Sequence, residues 1–376
     1  MLHRIHSCVD TLNGRRKVWL VNMKSKWKRL LGLPQYDVLG LDIGSSSVRM
    51  VQLVKDKGGY TIVAAGVSDI EPVEGDSTAK EASTIKAVRK CLESSKATTQ
   101  LAVCSVSGTE VAVRNFKFPP LEPEVLEGAM RLEASQVCPF NVDDGVVDYQ
   151  IIPNSADDDG VAGVLVAATN QVIQRKTRIA ENSSLSCVLM DVDGLALLNC
   201  LVESKKDPEE IKTSAILDVG ASCTTLAVMG ENNLPFVRTV PYAGKDVIEQ
   251  IARENHVSPE IVMRDIYGSV ETTIPQEKLQ SSMEQACKKL VSDVAETLRY
   301  HSAQAKSSSV EQILVCGGFG MVKGFVDILN KQLPIKAILW NPFDVMRCTV
   351  GRQCLDVIQM YGPAMAVAVG LAMRTV

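Results

Sequence analysis

Two short segments of this 376-residue chain carry the same order of residue types, and those types suit phosphate binding. In residues 41–48 and again in 217–224, an apolar run ends in Asp-x-Gly, continues through small residues and leads into a second apolar run. Glycine permits a sharp turn and close approach of a ligand, and hydroxyl groups add donors beside the backbone N–H groups. An aspartate at the strand end, Asp42 or Asp218, can face a hydrated Mg²⁺ that neutralises phosphate charge. Each segment therefore predicts a phosphate-binding hairpin.

The repetition is stronger evidence than either copy, because Asp-x-Gly alone is a common turn. Two copies in matched strand contexts predict a duplicated fold that binds one nucleotide between its halves. We expect Asp42 and Asp218 to lie near the metal ion. The predicted phosphate contacts are Gly44, Ser45, Ser46, Ser47 and Arg49 in the first hairpin and Gly220, Ala221, Ser222, Cys223 and Thr224 in the second.

Two further glycine-containing sites lie in the second half of the sequence. Gly244 and Lys245 stand where a helix begins, and helix N-termini favour anions, although a simple turn and cap explains this pair as well. Gly317, Gly318 and Phe319 follow a strand, but their spacing departs from the dinucleotide-binding fingerprint Gly-x-Gly-x-x-Gly. We therefore predict that this Gly-Gly loop is a flat platform for the base and ribose.

The apolar periodicities predict an α/β protein with two related halves. The first half is expected to be β-β-β-α-β, with strands at 38–41, 48–54, 60–67 and 101–106 and a helix at 80–94. The second half is expected to repeat this order, with strands at 215–218, 224–230, 235–240 and 312–316 and a helix at 245–254.

An excess of about 70 residues, the size of a small domain, separates the first half from the second hairpin. It is expected to be a β-α-β-β-α insert whose apolar residues, such as Phe116 and Met130, fill its own core. Its strands are predicted at 111–118, 146–152 and 161–168 and its helices at 122–137 and 171–182. The predicted domain limits are 1–36 for a basic leader, 37–111 with 183–213 for the first half, 112–182 for the insert and 214–376 for the second half.

The leader contains eight basic residues and one acidic residue. We expect it to be disordered, or in part the result of an incorrectly assigned start codon, because segments that precede a first domain often are. The alternative is contact between its basic and apolar residues and an anionic membrane surface.

Composition and charge argue against several classes of function. The net charge of −4, with no interleaving of basic and aromatic residues, argues against nucleic acid as a partner. Eleven cysteines without a Cys-x-x-Cys pair and four unclustered histidines support neither a zinc site nor a redox motif, and they favour reduced thiols in a cytoplasmic protein. The longest apolar stretch, residues 364–373, is too short to span a bilayer, so we expect it to pack inside the second half.

The order of the two hairpins, the helix start at Gly244 and the Gly-Gly loop resembles that of the actin-like ATPase superfamily. Finer motifs resemble its PilM branch, the type IV pilus assembly proteins. These motifs are residues 41–48, 118–121 (Phe-Pro-Pro-Leu), 131–134 (Arg-Leu-Glu-Ala), 139–140 (Pro-Phe), 148–150 (Asp-Tyr-Gln), 341–343 (Asn-Pro-Phe) and 362–373. The resemblance covers residues 36–374.

The resemblance implies an actin-like ATPase fold whose insert corresponds to subdomain 1C of FtsA, with ATP and Mg²⁺ bound in the cleft. It also implies a cytoplasmic protein at the inner face of the inner membrane, recruited by the N-terminal cytoplasmic tail of a PilN-like membrane protein and in contact with other pilus platform proteins. We expect that tail to bind where the insert meets the first half, near Arg131, Ala134, Ser135 and Val137.

The resemblance leaves ATP hydrolysis open. The residue that positions the attacking water in active relatives would fall near Asp193, so Asp193 and the neighbouring Asp191 are the candidate catalytic residues. Both are equally well explained as helix N-caps. Arg49 stands where the family often has lysine, a change that keeps the charge but alters its shape. We expect slow turnover at most, with the nucleotide acting mainly as a structural ligand.

Two other functions within the same superfamily stay open at this point. A small-molecule kinase uses the same ATP site, but the sequence shows no second polar cluster for a sugar or an acid. An FtsA-like, filament-forming protein would usually carry a C-terminal membrane-targeting helix, whereas residues 366–376 suit packing in a core.

Overall fold

Three β-sheets and the helices packed on them make up the described structure. The computed structural model describes residues 37–56, 59–73, 75–152, 160–204, 213–230, 233–268, 272–304, 309–349 and 351–376. The predicted basic leader at 1–36 lies outside the described residues.

The first half is a six-stranded sheet in which three strands form an antiparallel meander and the others pair in parallel. All five residues of β1 are buried, as expected for a strand in the middle of an α/β sheet. In spatial order the strands are β14 (Arg347–Cys348), β3 (Gly59–Asp69), β2 (Ser47–Asp56), β1 (Leu39–Ile43), β4 (Leu101–Val106) and β8 (Ser186–Val192).

The second half repeats this arrangement in a five-stranded sheet. Its strands lie in the order β11 (Pro235–Val240), β10 (Thr224–Met229), β9 (Ser214–Val219), β12 (Gln312–Cys316) and β13 (Lys336–Leu339). The first three strands along the chain again form an antiparallel meander, and β12 and β13 again pair in parallel. The order β3-β2-β1-β4-β8 therefore corresponds to β11-β10-β9-β12-β13, and the predicted duplication is confirmed.

The helices divide between the two sheets. Those that contribute to the core of the first half are α1 (Ser77–Ser95), α3 (Asn170–Asn182), α4 (Asp193–Ser204), α9 (Arg352–Tyr361) and α10 (Ala366–Ala372). Those of the second half are α5 (Gly244–Asn255), α6 (Pro259–Tyr267), α7 (Gln276–Ala303) and α8 (Phe325–Gln332). Helix α4 also packs on β10 and β11, so it lies between the halves.

The insert is a three-stranded antiparallel sheet covered on one face by a helix. Its strands lie in the order β5 (Val111–Phe118), β7 (Val161–Thr169) and β6 (Gly145–Ile151), and its helix is α2 (Pro123–Val137). Between the helix and the sheet lies a small apolar core that contains Phe116, Leu126, Met130, Ala134 and Leu165. Both outer strands, β5 and β6, are sheet edges.

Helix α3 follows β7 but packs on the large sheet of the first half. Its apolar side of Val172, Ile173 and Ile179 joins the core of that half, and the helix contacts α1, β4 and β8. The interval 112–182 predicted for the insert therefore includes a helix that packs with the first half, and the domain limits themselves stay a prediction.

The C-terminal apolar segment also packs on the first half, so the expectation that it packs inside the second half was wrong. Helix α10 contacts β1, β2 and α4. Two glycines allow the close approach, because a Cβ atom at Gly40 would lie 2.0 Å from the Ala368 carbonyl oxygen and one at Gly370 would lie 1.9 Å from that of Ala196. Packing of backbone against backbone, which the hydropathy pattern does not encode, decides where this helix lies.

One helical stretch of the described residues, 352–372, is long and apolar enough by composition to cross a membrane. Of its most apolar window, 67% is buried inside the protein, as is common for a core helix. The stretch comprises α9, the short 3-10 turn Gly362–Met365 and α10.

A buried ion pair joins the C-terminal segment to the first half. The Arg374 Nε donates to Asp191 Oδ2 at 2.5 Å, and neither side chain is more than 7% exposed. The other oxygen, Oδ1, accepts from the backbone N–H of Val192 at 2.8 Å. Asp191 therefore has its charge and both oxygens engaged inside the protein.

We expect Asp191→Asn to lower the free energy of unfolding by about 3–5 kcal/mol, because it leaves the guanidinium of Arg374 buried without a counter-charge. Denaturation with urea, followed by circular dichroism, measures this loss. The double variant Asp191→Asn, Arg374→Met removes both charges and should recover most of the stability. An unchanged unfolding free energy in the single variant would show that the pair does not stabilise the fold.

Candidate functional site

The two predicted hairpins have the same turn. The Gly44 N–H donates to the Ser47 carbonyl at 3.0 Å, and the Gly220 N–H donates to the Cys223 carbonyl at 3.1 Å. Each turn joins the two central antiparallel strands of its sheet, β1 to β2 and β9 to β10. The duplicated sequence pattern thus folds into duplicated local geometry.

The side chains of the hairpins differ in how much surface they offer a ligand. Ser45, Ser46 and Ser222 at the tips are exposed, and Gly220, Ala221 and Cys223 are partly exposed. Ser47 is buried. Thr224 is also buried, and its hydroxyl donates to the Tyr242 carbonyl at 2.8 Å, so this side chain holds the segment between β11 and α5 and has no surface for a phosphate.

Three carboxylates from different parts of the chain meet near the hairpins. Burial and the negative charges of Asp193 and Asp42 raise the pKa of Asp218 to about 7. Burial and the charge of Asp42 raise the pKa of Asp193 to about 6, although hydrogen bonds from Ser105 and Ser107 oppose the rise. Both predicted metal-facing aspartates and the predicted catalytic Asp193 therefore share one site.

Arg49 is the cation closest to this acidic cluster. Its register places it opposite Asp42 across the β1–β2 pair, and its Nη1 donates to Asp42 Oδ2 at 2.8 Å. The attraction of Asp42 and Asp218 raises the pKa of the guanidinium, although burial opposes that rise. A Cβ atom at Gly318 would lie 3.5 Å from its Nη2, so Arg49 reaches from the first hairpin to the Gly-Gly loop.

The two candidate catalytic aspartates have different environments. Asp193 begins α4 and faces the cleft with Asp42 and Asp218. The Asp191 side chain is buried and paired with Arg374, so neither of its oxygens is available to the cleft. The strand-to-helix transition between them turns one carboxylate into the core and the other toward the cleft.

The Gly-Gly loop closes the cleft from the second half. Gly317 has a φ of +87°, and a Cβ atom there would lie 2.3 Å from Asp218 Oδ1, so only glycine fits. The Gly317 N–H donates to the Pro363 carbonyl at 3.1 Å, which ties the loop to the C-terminal segment. Phe319 is 2% exposed and packs against Phe325, so it supports the loop from behind and offers a ligand almost no surface.

The start of α5 supports the second hairpin. The N–H groups of Gly244 and Lys245 donate to the carbonyls of Gly220 and Ala221, at 3.1 and 2.8 Å. These two amides are therefore engaged by the hairpin and do not point at a ligand. The Lys245 side chain is 73% exposed and lies near Glu249.

Three residues of the site have no signal in the sequence. Lys176 on α3 donates from its Nζ to the carbonyl of Ile43, directly before the first hairpin turn. Ser107 hydrogen-bonds with Asp193 and with Cys223 of the second hairpin. Tyr267, at the end of α6, is 53% exposed and lies within electrostatic range of Arg49. Each reaches the cleft from an element far away along the chain.

The predicted partner contacts lie on or near the outer side of the insert. Arg131 and Ser135 are exposed on α2, and Val137 at the end of the helix is partly buried. Ala134 is completely buried in the core between α2 and the sheet, so it has no surface to offer a partner. The exposed apolar residue of this helix near the predicted set is Leu132, at 62% exposure.

The donor set fits a nucleotide with a hydrated divalent cation. Among the described residues, no three His, Cys, Asp or Glu side chains converge closely enough to hold a metal ion directly. Burial and the repulsion between the carboxylates raise the pKa values of Asp218 and Asp193, and a bound cation would favour their ionised forms. Mg²⁺ usually keeps several waters and binds through carboxylates and substrate phosphates. Asp42 and Asp218 would hold the hydrated ion, and the exposed hairpin tips would hold the phosphates.

Comparison with known proteins agrees with this geometry. The family model described as type IV pilus assembly protein PilM matches residues 40–376. The chain belongs to the PilM family. Its members are type IV pilus assembly proteins, and the sequence-based identification of the family is confirmed.

Solved structures show the same fold. The chain is similar to one in a PilM–PilN type IV pilus biogenesis complex, with a TM-score of 0.76, 22% identity and coverage of 91% of this chain and 99% of that one. It also resembles the ethanolamine utilization protein EutJ from Carboxydothermus hydrogenoformans, with a TM-score of 0.53, 12% identity and coverage of 91% of this chain and 90% of that one. A diol dehydratase-reactivating factor has a TM-score of 0.50 and 11% identity, with coverage of 89% of this chain and 99% of that one. The actin-like ATPase fold expected from the sequence is confirmed.

We expect the free energy of unfolding of the unliganded protein to fall as the pH rises from about 4 to about 7, because the carboxyl groups of this site then lose their protons. Asp218 and Asp193 have folded-state pKa values of about 7 and about 6, above the ordinary value of 3.8, so the folded state binds more protons than the unfolded state in this range. Urea denaturation of Asp218→Asn between pH 4 and pH 8 should show a shallower fall than the native sequence.

Asp143→Asn is the matched control, since Asp143 is exposed in the insert and is not among the charges that shift the pKa values of the cleft carboxylates. It should leave the pH dependence unchanged. If the Asp218→Asn and native proteins show the same dependence on pH, the carboxylates do not repel one another as described.

Proposed function

We propose that this PilM-family chain is a nucleotide-binding adaptor of the type IV pilus inner-membrane platform. It binds Mg²⁺-ATP between its two halves and docks the cytoplasmic N-terminal tail of a PilN-like membrane protein at its insert. This partner holds it at the inner face of the inner membrane, beside other platform proteins. The observation that carries the proposal is the pair of identical hairpin turns with Asp42, Asp218 and Asp193 between them.

Nucleotide binding follows from the chemistry of this pair. Ser45, Ser46 and Ser222 at the tips offer hydroxyl and backbone donors that suit phosphate oxygens. The acidic cluster supplies the charge that a hydrated Mg²⁺ requires, and the absence of a side chain at Gly317 lets the Gly-Gly loop pack directly against Asp218. Each half contributes one hairpin, so a bound nucleotide stabilises the closed arrangement of the halves by mass action.

Turnover is proposed to be slow, below the ordinary enzyme range of about 1 to 1000 per second. Asp193 is the carboxylate placed to orient a water molecule, but Ser105 and Ser107 already hydrogen-bond to it. Its position at the first residue of α4 makes it part of the helix start as well. ATP then acts mainly as a ligand that sets the conformation of the cleft.

We expect the double variant Asp42→Ala, Asp218→Ala to bind Mg²⁺-ATP at least about tenfold more weakly than the native chain, because the hydrated cation loses both carboxylates that face it. Isothermal titration calorimetry measures the affinity, and circular dichroism verifies folding. Asp143→Ala, Asp144→Ala removes two carboxylates from the insert as a control and should bind normally. Equal affinity in a folded cleft variant would exclude this site.

Docking of a peptide is supported by a cavity where the insert meets the two halves. The cavity has a volume of about 230 Å³ and lies between β5, the turn before it, β11 and Pro139 just after α2. Its walls combine apolar Val113 and Val237 with the cation of Arg114. The predicted contact Val137 precedes Pro139, which lines this cavity, by two positions in the sequence. Arg131 and Ser135 are exposed earlier on α2.

The edge of β5 offers backbone groups beside the cavity. Thr169 N–H donates to the Glu110 carbonyl at 3.1 Å, so the alternation of an antiparallel pair directs the N–H groups of Val113 and Asn115 away from β7. The carbonyl of Val113 accepts from Arg114 Nη1 at 2.8 Å. An extended peptide can add to such an edge and place alternate side chains in the cavity.

The other edge of the insert is less open. On β6, Ile152 N–H donates to the Ala162 carbonyl at 3.0 Å, so the N–H groups of Tyr149 and Ile151 point outward. The Tyr149 N–H is already bonded to Asp148 Oδ1 at 2.8 Å. We therefore place the peptide on β5.

We expect Asn115→Pro to weaken binding of the PilN-like tail by about threefold to tenfold, since it removes an outward donor that the peptide would use. Calorimetric titration uses the full chain and a synthetic peptide copied from the cytoplasmic N-terminus of a PilN-like protein of the same organism. Ile151→Pro makes the same change on the opposite edge and should bind normally. Equal binding by all three proteins would place the site elsewhere.

Point variants are preferable to deletion of residues 112–182. That deletion would also remove α3, whose apolar residues belong to the core of the first half. Loss of binding after such a deletion would report unfolding as well as loss of the docking site.

A further inference from the structure

Lys176 brings a positive charge into the cleft from the helix that follows the insert. Its Nζ donates to the carbonyl of Ile43, the last residue of β1 and the neighbour of Gly44 in the first hairpin. An ammonium group has three N–H donors, and this bond uses one. The side chain is partly buried, so its charge acts at short range.

The same ammonium group lies near groups of both hairpins. Its charge partly opposes the rise in the pKa values of Asp193 and of the Cys223 thiol, so it lies within electrostatic range of both groups. The bond to Ile43 places the ammonium group at the end of β1, directly before the first hairpin turn. Arg49 also interacts with Asp193, but it is paired with Asp42 and reaches the Gly-Gly loop.

Neighbouring cations have other partners. Arg49 is paired with Asp42 at 2.8 Å. On α3 itself, Arg175 lies 3.7 Å from Glu110 and Arg178 lies 2.6 Å from Glu81, both at more exposed positions. Lys245 lies 3.6 Å from Glu249 in solvent. Of these five cations, Lys176 is the one whose charge is directed into the cleft without a salt-bridge partner at hydrogen-bond distance.

We propose that Lys176 binds the terminal phosphate of the nucleotide and so makes the cleft prefer a nucleoside triphosphate over a diphosphate. The inference rests on the proposed binding of ATP in this cleft. With the nucleoside on the Gly-Gly loop, the phosphates extend between the hairpins toward Asp193, where Lys176 lies. A diphosphate is too short to use this charge fully, whereas a triphosphate brings its most negative group to it.

The test compares affinities for Mg²⁺-ATP and Mg²⁺-ADP by calorimetry on the full chain. The native protein should bind ATP more tightly than ADP. Lys176→Gln should weaken ATP binding by about tenfold or more and ADP binding by less than about threefold, because a charge-assisted hydrogen bond to the terminal phosphate is lost. Lys176→Arg keeps the charge and should retain the preference for ATP.

Arg178→Gln is the matched control, since it removes a cation two residues further along the same helix, on the opposite side, where Glu81 is its partner. It should leave the ratio of the two affinities unchanged. Lys176→Ala provides the same measurement should the glutamine variant unfold at a lower temperature than the native protein.

An unchanged ratio of ATP to ADP affinity in folded Lys176→Gln and Lys176→Ala would overturn the inference while leaving nucleotide binding intact. Absence of binding of either nucleotide to the native protein would instead overturn the proposed function and the inference with it. A ratio of ATP to ADP affinity that falls in Lys176→Gln and Lys176→Ala but is unchanged in Arg178→Gln supports both the proposed function and the inference.

Discussion

The structure depends on a cluster of partly buried negative charge between its two halves. Asp42, Asp218 and Asp193 come from three different elements, and their mutual repulsion together with burial raises the pKa values of the last two. Arg49 offsets part of this charge through its 2.8 Å bond to Asp42 and reaches across to the Gly-Gly loop. A bound cation would offset the remaining charge, which is why we propose that a metal–nucleotide complex binds in this cleft.

The chain connects the insert to this cluster on both sides. Ser107, on the segment that enters the insert, bonds to Asp193, and Lys176, on the helix that leaves it, bonds to the carbonyl of Ile43. The two segments are joined to each other, since the Thr169 hydroxyl and the Glu110 carboxylate lie 3.0 Å apart. A rearrangement at the phosphates would therefore act on the same elements that hold the proposed peptide edge.

The C-terminal segment holds the two halves together. Strand β14 pairs with β3 of the first sheet, and α10 packs on β1 and β2, although both follow the second sheet in the sequence. The same segment bonds to the Gly-Gly loop through the Pro363 carbonyl, and Arg374 neutralises the buried Asp191. The Gly-Gly loop thus rests on residues that are themselves packed against the first half.

The sequence by itself determined the duplicated hairpins, the β-β-β-α-β order along the chain in each half, the β-α-β-β elements of the insert and the family, because turn residues and apolar periodicity are local signals. Only the tertiary structure decided that Asp193 faces the cleft while Asp191 pairs with Arg374, that Ala134 and Phe319 are core residues, and that Lys176 reaches the site. The direction of a side chain at the end of an element, and its partner more than a hundred residues away, are set by how the elements pack. Local sequence patterns do not predict that packing.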